Sequence, residues 1–214
     1  MSIGLPSLAI DAGELLQHVS RVVYRDKPLY YGRDGTNCYD APKRDCGVLY
    51  LGRNLPMALM ESVFHKHRRD RDTRRSIAHA EVRSRLVRAV GVLEELSLAD
   101  LTAEGVMAGY FGLNLEQLAS RDYTCTQQVS DQVHALRGSD GLPLFGGVLY
   151  PSRNNYPAAS IALFERAKTR IKVIEDIDLV DHVEWPDFVA NYRIGIEPDP
   201  GPAGPDDDVT RTRT

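Results

Sequence analysis

Short apolar stretches alternate with polar turns along the chain and predict a mixture of strands and helices. Strands are expected at residues 18–25, 48–51, 160–164 and 171–175, where β-branched and other apolar residues cluster. Residues 77–93 predict one or two more strands, and residues 96–120, which glycines interrupt, predict short helical segments between loops. This order is typical of a mixed α/β or α+β domain.

Two segments have the apolar spacing of helices. The first runs from about residue 56 to 67, with Asn54 as a plausible N-cap and Pro56 in its first turn. Its apolar stripe is formed by Met57, Met60, Val63 and Phe64. Glu61 falls at the edge of this stripe, where a carboxylate can face a cleft. The second helix is expected at residues 126–137, before a glycine-rich stop at 138–141.

The sequence Gly-Val-Leu-Tyr occurs twice, at residues 47–50 and again at 147–150. Each copy is a short strand candidate that continues into polar residues. The first is followed by Gly52-Arg53-Asn54 and the second by Ser152-Arg153-Asn154. We therefore expect the two strand ends to form two walls of one site.

Composition and charge limit the partners, metals and cellular compartment that we expect for this chain. The formal net charge is −4 and the pI is near 5.9, so nucleic acid would need a local basic patch. The one basic run, at residues 65–75, contains interleaved aspartates and is predicted to be solvated surface. Three cysteines without a CxxC pair favour a reducing compartment and no structural metal. Neither a signal peptide nor a membrane span is predicted, which favours the cytoplasm.

The last residues differ in composition from the rest of the chain. From residue 195 the sequence is rich in proline, glycine and aspartate and lacks apolar anchors. Such a segment cannot offset the entropy that ordering costs. We therefore expect one domain at residues 1–194 and a disordered tail at 195–214.

No common nucleotide or hydrolase signature is present: GxGxxG, the Walker A loop, HExxH and GxSxG are all missing. A dispersed set of motifs remains, and its order and spacing resemble the RES domain family. These motifs are Ser20-Arg21-Val22, Gly35-Thr36-Asn37-Cys38-Tyr39-Asp40, Gly47 to Leu51 with Ala58 to Glu61, and Gly146 to Arg153 with Ile161 to Phe164. The resemblance covers residues 18–176.

The resemblance implies an α+β fold like that of ADP-ribosyltransferases, with mixed or antiparallel central sheets and flanking helices. It also implies a bacterial toxin that consumes NAD as its substrate, needs no other cofactor, and is neutralised by a cognate antitoxin. The products could arise by hydrolysis, by phosphorolysis or by ADP-ribosyl transfer to a protein acceptor. The catalytic residues would be Arg21, Tyr50, Glu61 and Ser152, and the substrate-binding residues Tyr31, Asn37 and Arg153.

One position departs from the family pattern. Family members often have GxNR[FY] in the glycine-rich loop, whereas this chain has Cys38 in place of the arginine. A phosphate-binding cation is therefore missing, or it is supplied by Arg33, Arg44 or Arg53. A weakly catalytic domain that binds NAD or a protein is accordingly an alternative. A toxin that attacks RNA is a third hypothesis, for which the basic run is the only support.

Overall fold

The structure is a computed structural model that describes residues 4–27, 29–65 and 75–199. The strands are β1 (Ser7–Ile10), β2 (Leu15–Arg21), β3 (Val48–Leu51), β4 (Ser76–Ala78), β5 (Arg85–Val92), β6 (Leu96–Asp100), β7 (Gly147–Pro151), β8 (Ala159–Phe164), β9 (Ile171–Asp178) and β10 (Gly195–Glu197). The α-helices are α1 (Leu55–Glu61), α2 (His79–Arg83), α3 (Leu115–Ala119), α4 (Thr124–Ala135) and α5 (Trp185–Tyr192).

The strands form three sheets within the described residues. A five-stranded sheet has the order β1-β6-β7-β8-β3, and it is mixed because β6 and β7 run parallel while the other pairs are antiparallel. A three-stranded antiparallel sheet has the order β2-β5-β9, and β4 pairs with β10 in parallel. The α+β class with flanking helices is therefore confirmed.

Strand alternation divides the apolar residues among three cores. Leu49 and Leu149 pack between the two larger sheets, against Leu16 of β2. Their neighbours Val48 and Val148 point to the opposite face, where α4 covers the five-stranded sheet. A third core joins α1 and α5 to the three-stranded sheet. Both faces of the five-stranded sheet are thus covered, with α1 in contact with β3 and α4 in contact with β7.

The prediction of a strand at residues 18–25 is wrong for the second half of this range. The strand begins at Leu15 and ends at Arg21, and Val22–Tyr24 form a single 3-10 turn. The buried guanidinium of Arg88 accounts for this turn, because it binds the carbonyl oxygens of Tyr24 and of residues 25 and 27. That distant contact outweighs the β propensity of the two valines.

Other predicted elements differ in type or length. Residues 77–93 contain β4, the short helix α2 and β5, and β6 lies where residues 96–120 were expected to be helical. The first helix ends at Glu61, although the N-cap is confirmed, since the Asn54 side chain accepts from the Met57 N–H at 3.1 Å. Residues 66–74 of the predicted basic run lie outside the described residues.

The ordered chain continues past the expected boundary at residue 194. Gly195–Glu197 form β10, and the Gly195 N–H donates to the carbonyl of Arg75 at 2.8 Å. Asp199 then forms an ion pair with Arg83 of α2. The described structure therefore includes residues 195–199 of the expected tail, and residues 200–214 lie outside the described part of the chain. None of the described helices is long and apolar enough to cross a membrane.

Candidate active site

The carboxylate of Glu61 lies at the end of α1. Leu55, Ala58 and Leu59 anchor this helix in the core, which leaves Glu61 half-buried at the carboxyl-terminal end. Helix carbonyls give this end a partial negative charge, so a carboxylate here needs hydrogen-bond donors from elsewhere. The sequence of α1 therefore positions the Glu61 carboxylate, but the hydrogen-bond donors to this carboxylate come from other elements.

Two hydroxyl groups from β7 and the loop after it supply those donors. The Tyr150 hydroxyl donates to Oε2 of Glu61 at 2.9 Å, and the Ser152 hydroxyl donates to Oε1 at 2.6 Å. Ser152 is only 1% exposed, and its oxygen accepts from the N–H of Asn155 at 3.1 Å. Both carboxylate oxygens are thereby held in fixed directions.

Burial keeps the Tyr150 hydroxyl protonated. Loss of solvent around the ring, followed by the nearby charge of Glu61, raises the pKa of Tyr150 well above its ordinary value. The phenol is consequently a hydrogen-bond donor to the carboxylate across the whole physiological pH range.

The repeated Gly-Val-Leu-Tyr segments form the two strands on either side of β8. Because β3 and β7 are both antiparallel to β8, their ends meet at the same edge of the sheet. The register is offset by two residues: Tyr50 is level with Ala162, whereas Tyr150 is level with Ser160. Tyr150 therefore lies closer to the strand end, and it is Tyr150 that contacts Glu61.

Tyr50 lies one layer behind, in an aromatic group with Tyr39 and Tyr150. The Tyr39 and Tyr150 ring centroids are 4.4 Å apart, and the Tyr50 and Tyr150 rings meet edge to face at 6.4 Å. The Tyr50 hydroxyl donates to Oδ1 of Asp40 at 3.0 Å and accepts from the Tyr39 N–H at 3.0 Å. This group forms an aromatic wall next to the acid.

The loop at residues 35–40 is folded around the buried carboxylate of Asp40. Its Oδ2 atom accepts from the backbone N–H groups of Thr36 and Asn37, both at 2.9 Å, and from the Asn37 side chain at 3.1 Å. Two side chains of α4 hold the loop from outside, since Gln127 and Ser130 donate to its carbonyl groups. Asn37 thus has a structural role in this conformation.

These elements enclose what we name the Glu61 cleft, whose cavity volume is about 40 Å³. Its lining includes Cys38, Tyr39, Glu61, Tyr123, Tyr150 and Arg153. The Arg153 guanidinium donates to the carbonyl of Ser120 at 2.6 Å and to the Tyr123 hydroxyl at 3.1 Å. Arg153 is the one arginine or lysine among the described residues that line this cleft.

Three of the predicted site residues therefore come together: Glu61, Ser152 and Arg153. Tyr50 lies next to the cleft without lining it, and it contacts Asp40 through its hydroxyl and Tyr150 through its ring. The sequence analysis gave no role to Tyr123 and treated His65 as a surface or structural residue. His65 is instead buried and lines the cleft, with its Nε2 atom 3.0 Å from the Tyr123 hydroxyl.

The structure does not bring Arg21 or Tyr31 together with Glu61. Arg21 ends β2, pairs with Glu81 of α2 at 3.5 Å, and lines a different cavity. Tyr31 packs against the core between the two larger sheets. We name the other cavity the Arg21 cavity; its lining includes Arg21, Tyr24, Lys27, Tyr30, Arg85 and Arg88.

Cys38 lies in the Glu61 cleft, at the position where the family pattern has arginine. Burial, with the Glu61 charge as the second cause, raises the pKa of its thiol, so Cys38 stays neutral. The three candidate replacements do not line this cleft in the described structure. Arg33 pairs with Glu165, Arg53 lies 3.8 Å from Glu14, and Arg44 lies beside Gly35.

Comparison with known families now identifies the chain. The RES domain model matches residues 15–186, which is most of its length. The chain belongs to the RES domain family. The resemblance expected from the dispersed motifs is thereby confirmed, and the RES domain is associated with toxin–antitoxin systems that process NAD. No match to a curated protein was found.

Proposed function

We propose that this RES domain is a cytoplasmic toxin that cleaves NAD at the bond between nicotinamide and ribose, and that a cognate antitoxin neutralises it. The observation that carries the proposal is the Glu61 carboxylate, held by Tyr150 and Ser152 beside an aromatic wall. Membership of the RES family supports the substrate. A fold like that of ADP-ribosyltransferases belongs to the same proposal.

The chemistry of the bond explains the need for a carboxylate. When the bond between nicotinamide and ribose breaks, its electron pair goes to the ring nitrogen and neutralises the pyridinium. The ribose carbon is left with the positive charge of an oxocarbenium ion. A fixed carboxylate next to that carbon stabilises the charge as it develops. Glu61 has this role in our proposal.

The two hydroxyl groups hold the carboxylate in place before the substrate arrives. Each oxygen of Glu61 accepts one hydrogen bond from the protein, and a carboxylate has roughly four acceptor positions in total. The remaining positions can bind a ribose hydroxyl or face the developing cation. The rings of Tyr39 and Tyr150 line the cleft beside Glu61, where nicotinamide would contact them.

Arg153 is the cation that is positioned to contact a phosphate of the bound NAD. Its guanidinium is fixed by Ser120 and Tyr123 at the cleft. The species that captures the ribose carbon could be water, phosphate or a protein side chain. Each of these donates an electron pair to the ribose carbon and, where it carries a proton, releases it to the solvent or to Glu61.

A second candidate function follows from Cys38. A neutral thiol lines the cleft where the family pattern has an arginine, so the described cleft has one guanidinium fewer for the phosphates. A RES domain that binds NAD or a protein and turns over little substrate is consistent with this difference.

One product analysis separates the two functions. The purified chain is incubated with NAD, with and without phosphate, and the products are identified by mass. Free nicotinamide supports the proposed activity, and the mass of the second product identifies the acceptor. Saturable NAD binding without free nicotinamide would instead support the binding module.

A further inference from the structure

The Arg21 cavity is a second potential binding site, on the three-stranded sheet. Its volume is about 680 Å³, it lies at the end of β2, and none of its described lining residues also lines the Glu61 cleft. Typical small-molecule sites enclose roughly 300 to 1,000 Å³. The space is therefore ample for a ligand of nucleotide size.

Positive charge is concentrated around this cavity. Four cationic side chains line it: Arg21, Lys27, Arg85 and Arg88. Two carboxylates pair with them, since Glu81 contacts Arg21 and Arg85 and Asp176 lies 3.7 Å from Arg88. Four positive charges less two negative charges leave an excess of two. On a chain whose net charge is −4, such a local excess favours an anionic ligand.

Two of the arginines are held side by side by one carboxylate oxygen. The Glu81 Oε1 atom lies 2.8 Å from Nε of Arg85 and 3.5 Å from Nη2 of Arg21. The Arg21 side chain is 49% exposed, so its other N–H groups reach the open cavity. Two adjacent guanidinium groups match the oxygens of a phosphate, which accept parallel hydrogen bonds from such a fork.

Arg88 fixes the turn that supplies the rest of the lining. It is 3% exposed, and its guanidinium donates to the carbonyl of Lys27 at 2.8 Å and to that of Arg25 at 3.0 Å. Within this turn, the Lys27 ammonium lies 5.2 Å from the Tyr24 ring centroid. The cation and the ring are consequently arranged before any ligand binds.

Two exposed tyrosines complete the site. Tyr24 is 47% and Tyr30 is 72% exposed, and both line the cavity beside the cations. Flat aromatic faces stack on the bases of nucleotides, while guanidinium and ammonium groups bind their phosphates. We propose that the Arg21 cavity binds a phosphorylated ligand with a flat ring, of the nucleoside monophosphate class. This proposal does not rest on NAD cleavage at Glu61.

The test uses AMP as the probe and isothermal titration calorimetry on the full chain. We expect saturable binding of AMP, and weaker binding of inorganic phosphate and of adenosine, because each of these two supplies only half of the contacts. Arg21→Ala and Lys27→Ala should each weaken AMP binding by about tenfold, the value of one charged hydrogen bond. Absence of saturable AMP binding would overturn the proposal.

Arg170→Ala is the matched control. Arg170 is also 49% exposed and lies 3.6 Å from its partner Glu94, but it does not line the Arg21 cavity. AMP affinity should be unchanged in this variant, with thermal melting as the check that each protein folds. Equal losses in Arg21→Ala and Arg170→Ala would show general charge attraction and would overturn the proposal.

The source of the nucleotide is distinguished by competition in Glu61→Gln, which is expected to leave NAD intact. Displacement of AMP by NAD would identify the adenylate half of NAD as a ligand of the cavity. AMP that stays bound at saturating NAD would identify a separate mononucleotide. Both results are consistent with the proposed ligand class.

Discussion

Glu61 lines its cleft and Glu81 pairs with two arginines that line the Arg21 cavity, so each region has a glutamate, but the partners of the two glutamates differ in kind. Neutral hydroxyl groups hold Glu61, so its negative charge is kept at the cleft. Glu81 instead pairs with two guanidinium groups, so its charge is cancelled and the surroundings remain positive. One region is therefore suited to a developing cation and the other to an anion.

The pKa of Glu81 reflects its pairing with the two guanidinium groups. Burial raises the pKa of Glu81, but the hydrogen bond and charge of Arg85, together with Arg21, outweigh burial and lower it overall. The group thus stays ionised well into the acid range, as expected for a structural ion pair. Glu61, by contrast, is held by two uncharged hydroxyl groups.

The largest effect that tests this contrast is expected from removing both donors to Glu61. The double variant Tyr150→Phe with Ser152→Ala should release nicotinamide about 10²-fold more slowly, since each charged hydrogen bond contributes about a factor of ten. Nicotinamide release under saturating NAD measures it. Tyr110→Phe, at an exposed ring outside the cleft, is the control. A folded double variant with the wild-type rate would contradict the role of these hydroxyls.

The next largest effect concerns residue 38, where this chain has a cysteine in place of the arginine of the family pattern. Cys38→Arg should tighten NAD binding by about tenfold, because a guanidinium at this position in the cleft gains charge-assisted hydrogen bonds that the thiol cannot make. Titration of NAD into both proteins measures the change. Cys38→Lys carries the charge without the planar fork and should gain less. Unchanged affinity in both variants would mean that residue 38 does not contact the phosphates.

These positions show which parts of the site a sequence pattern can predict. The roles of Glu61, Ser152 and Arg153 were implied by the resemblance to the RES family, and each also lies at or near the end of its own helix or strand, where the pattern indicated polar residues facing a site. Tyr150 could not be preferred over Tyr50, because their difference arises from the two-residue offset in pairing with β8. That register is a property of the folded sheet.

The position of Arg21 was also beyond the sequence pattern. Its role in the site was implied by the resemblance to the RES family, whereas the structure places it at the end of β2, where the contacts of Arg88 with the carbonyls of residues 24, 25 and 27 hold the turn that follows. A contact between residues more than sixty positions apart cannot be inferred from local periodicity. The α+β class, by contrast, follows from the alternation of short apolar segments and was predicted correctly.

A smaller effect is expected in the Arg21 cavity when its shared acid is neutralised. Glu81→Gln should tighten AMP binding by about fivefold, since two unit charges about 4 Å apart in open water interact by about 1 kcal/mol. The excess of positive charge rises from two to three in this variant. Calorimetry at low and high salt measures the change, which should shrink as salt screens the charges. Weaker AMP binding at low salt would be the contrary result.

The smallest effect is expected from the end of the chain. Deletion of residues 200–214 should leave the melting temperature and nicotinamide release unchanged, because this sequence has no apolar periodicity and contains three consecutive aspartates. Truncation after Asp199 keeps its ion pair with Arg83. A fall of several degrees would show that the deleted residues contribute to the fold.

The central claim is that NAD cleavage depends on the carboxylate in the Glu61 cleft and not on the one beside the Arg21 cavity. The most direct measurement compares nicotinamide release by Glu61→Gln and Glu81→Gln, two identical changes of charge, in proteins whose folding is verified by thermal melting. The account predicts a loss of about 10²-fold or more for Glu61→Gln and a rate within about a factor of two of wild type for Glu81→Gln, because Glu81 does not line the Glu61 cleft and its charge is paired with Arg21 and Arg85. Wild-type turnover by folded Glu61→Gln, or an equal loss in both variants, would contradict it.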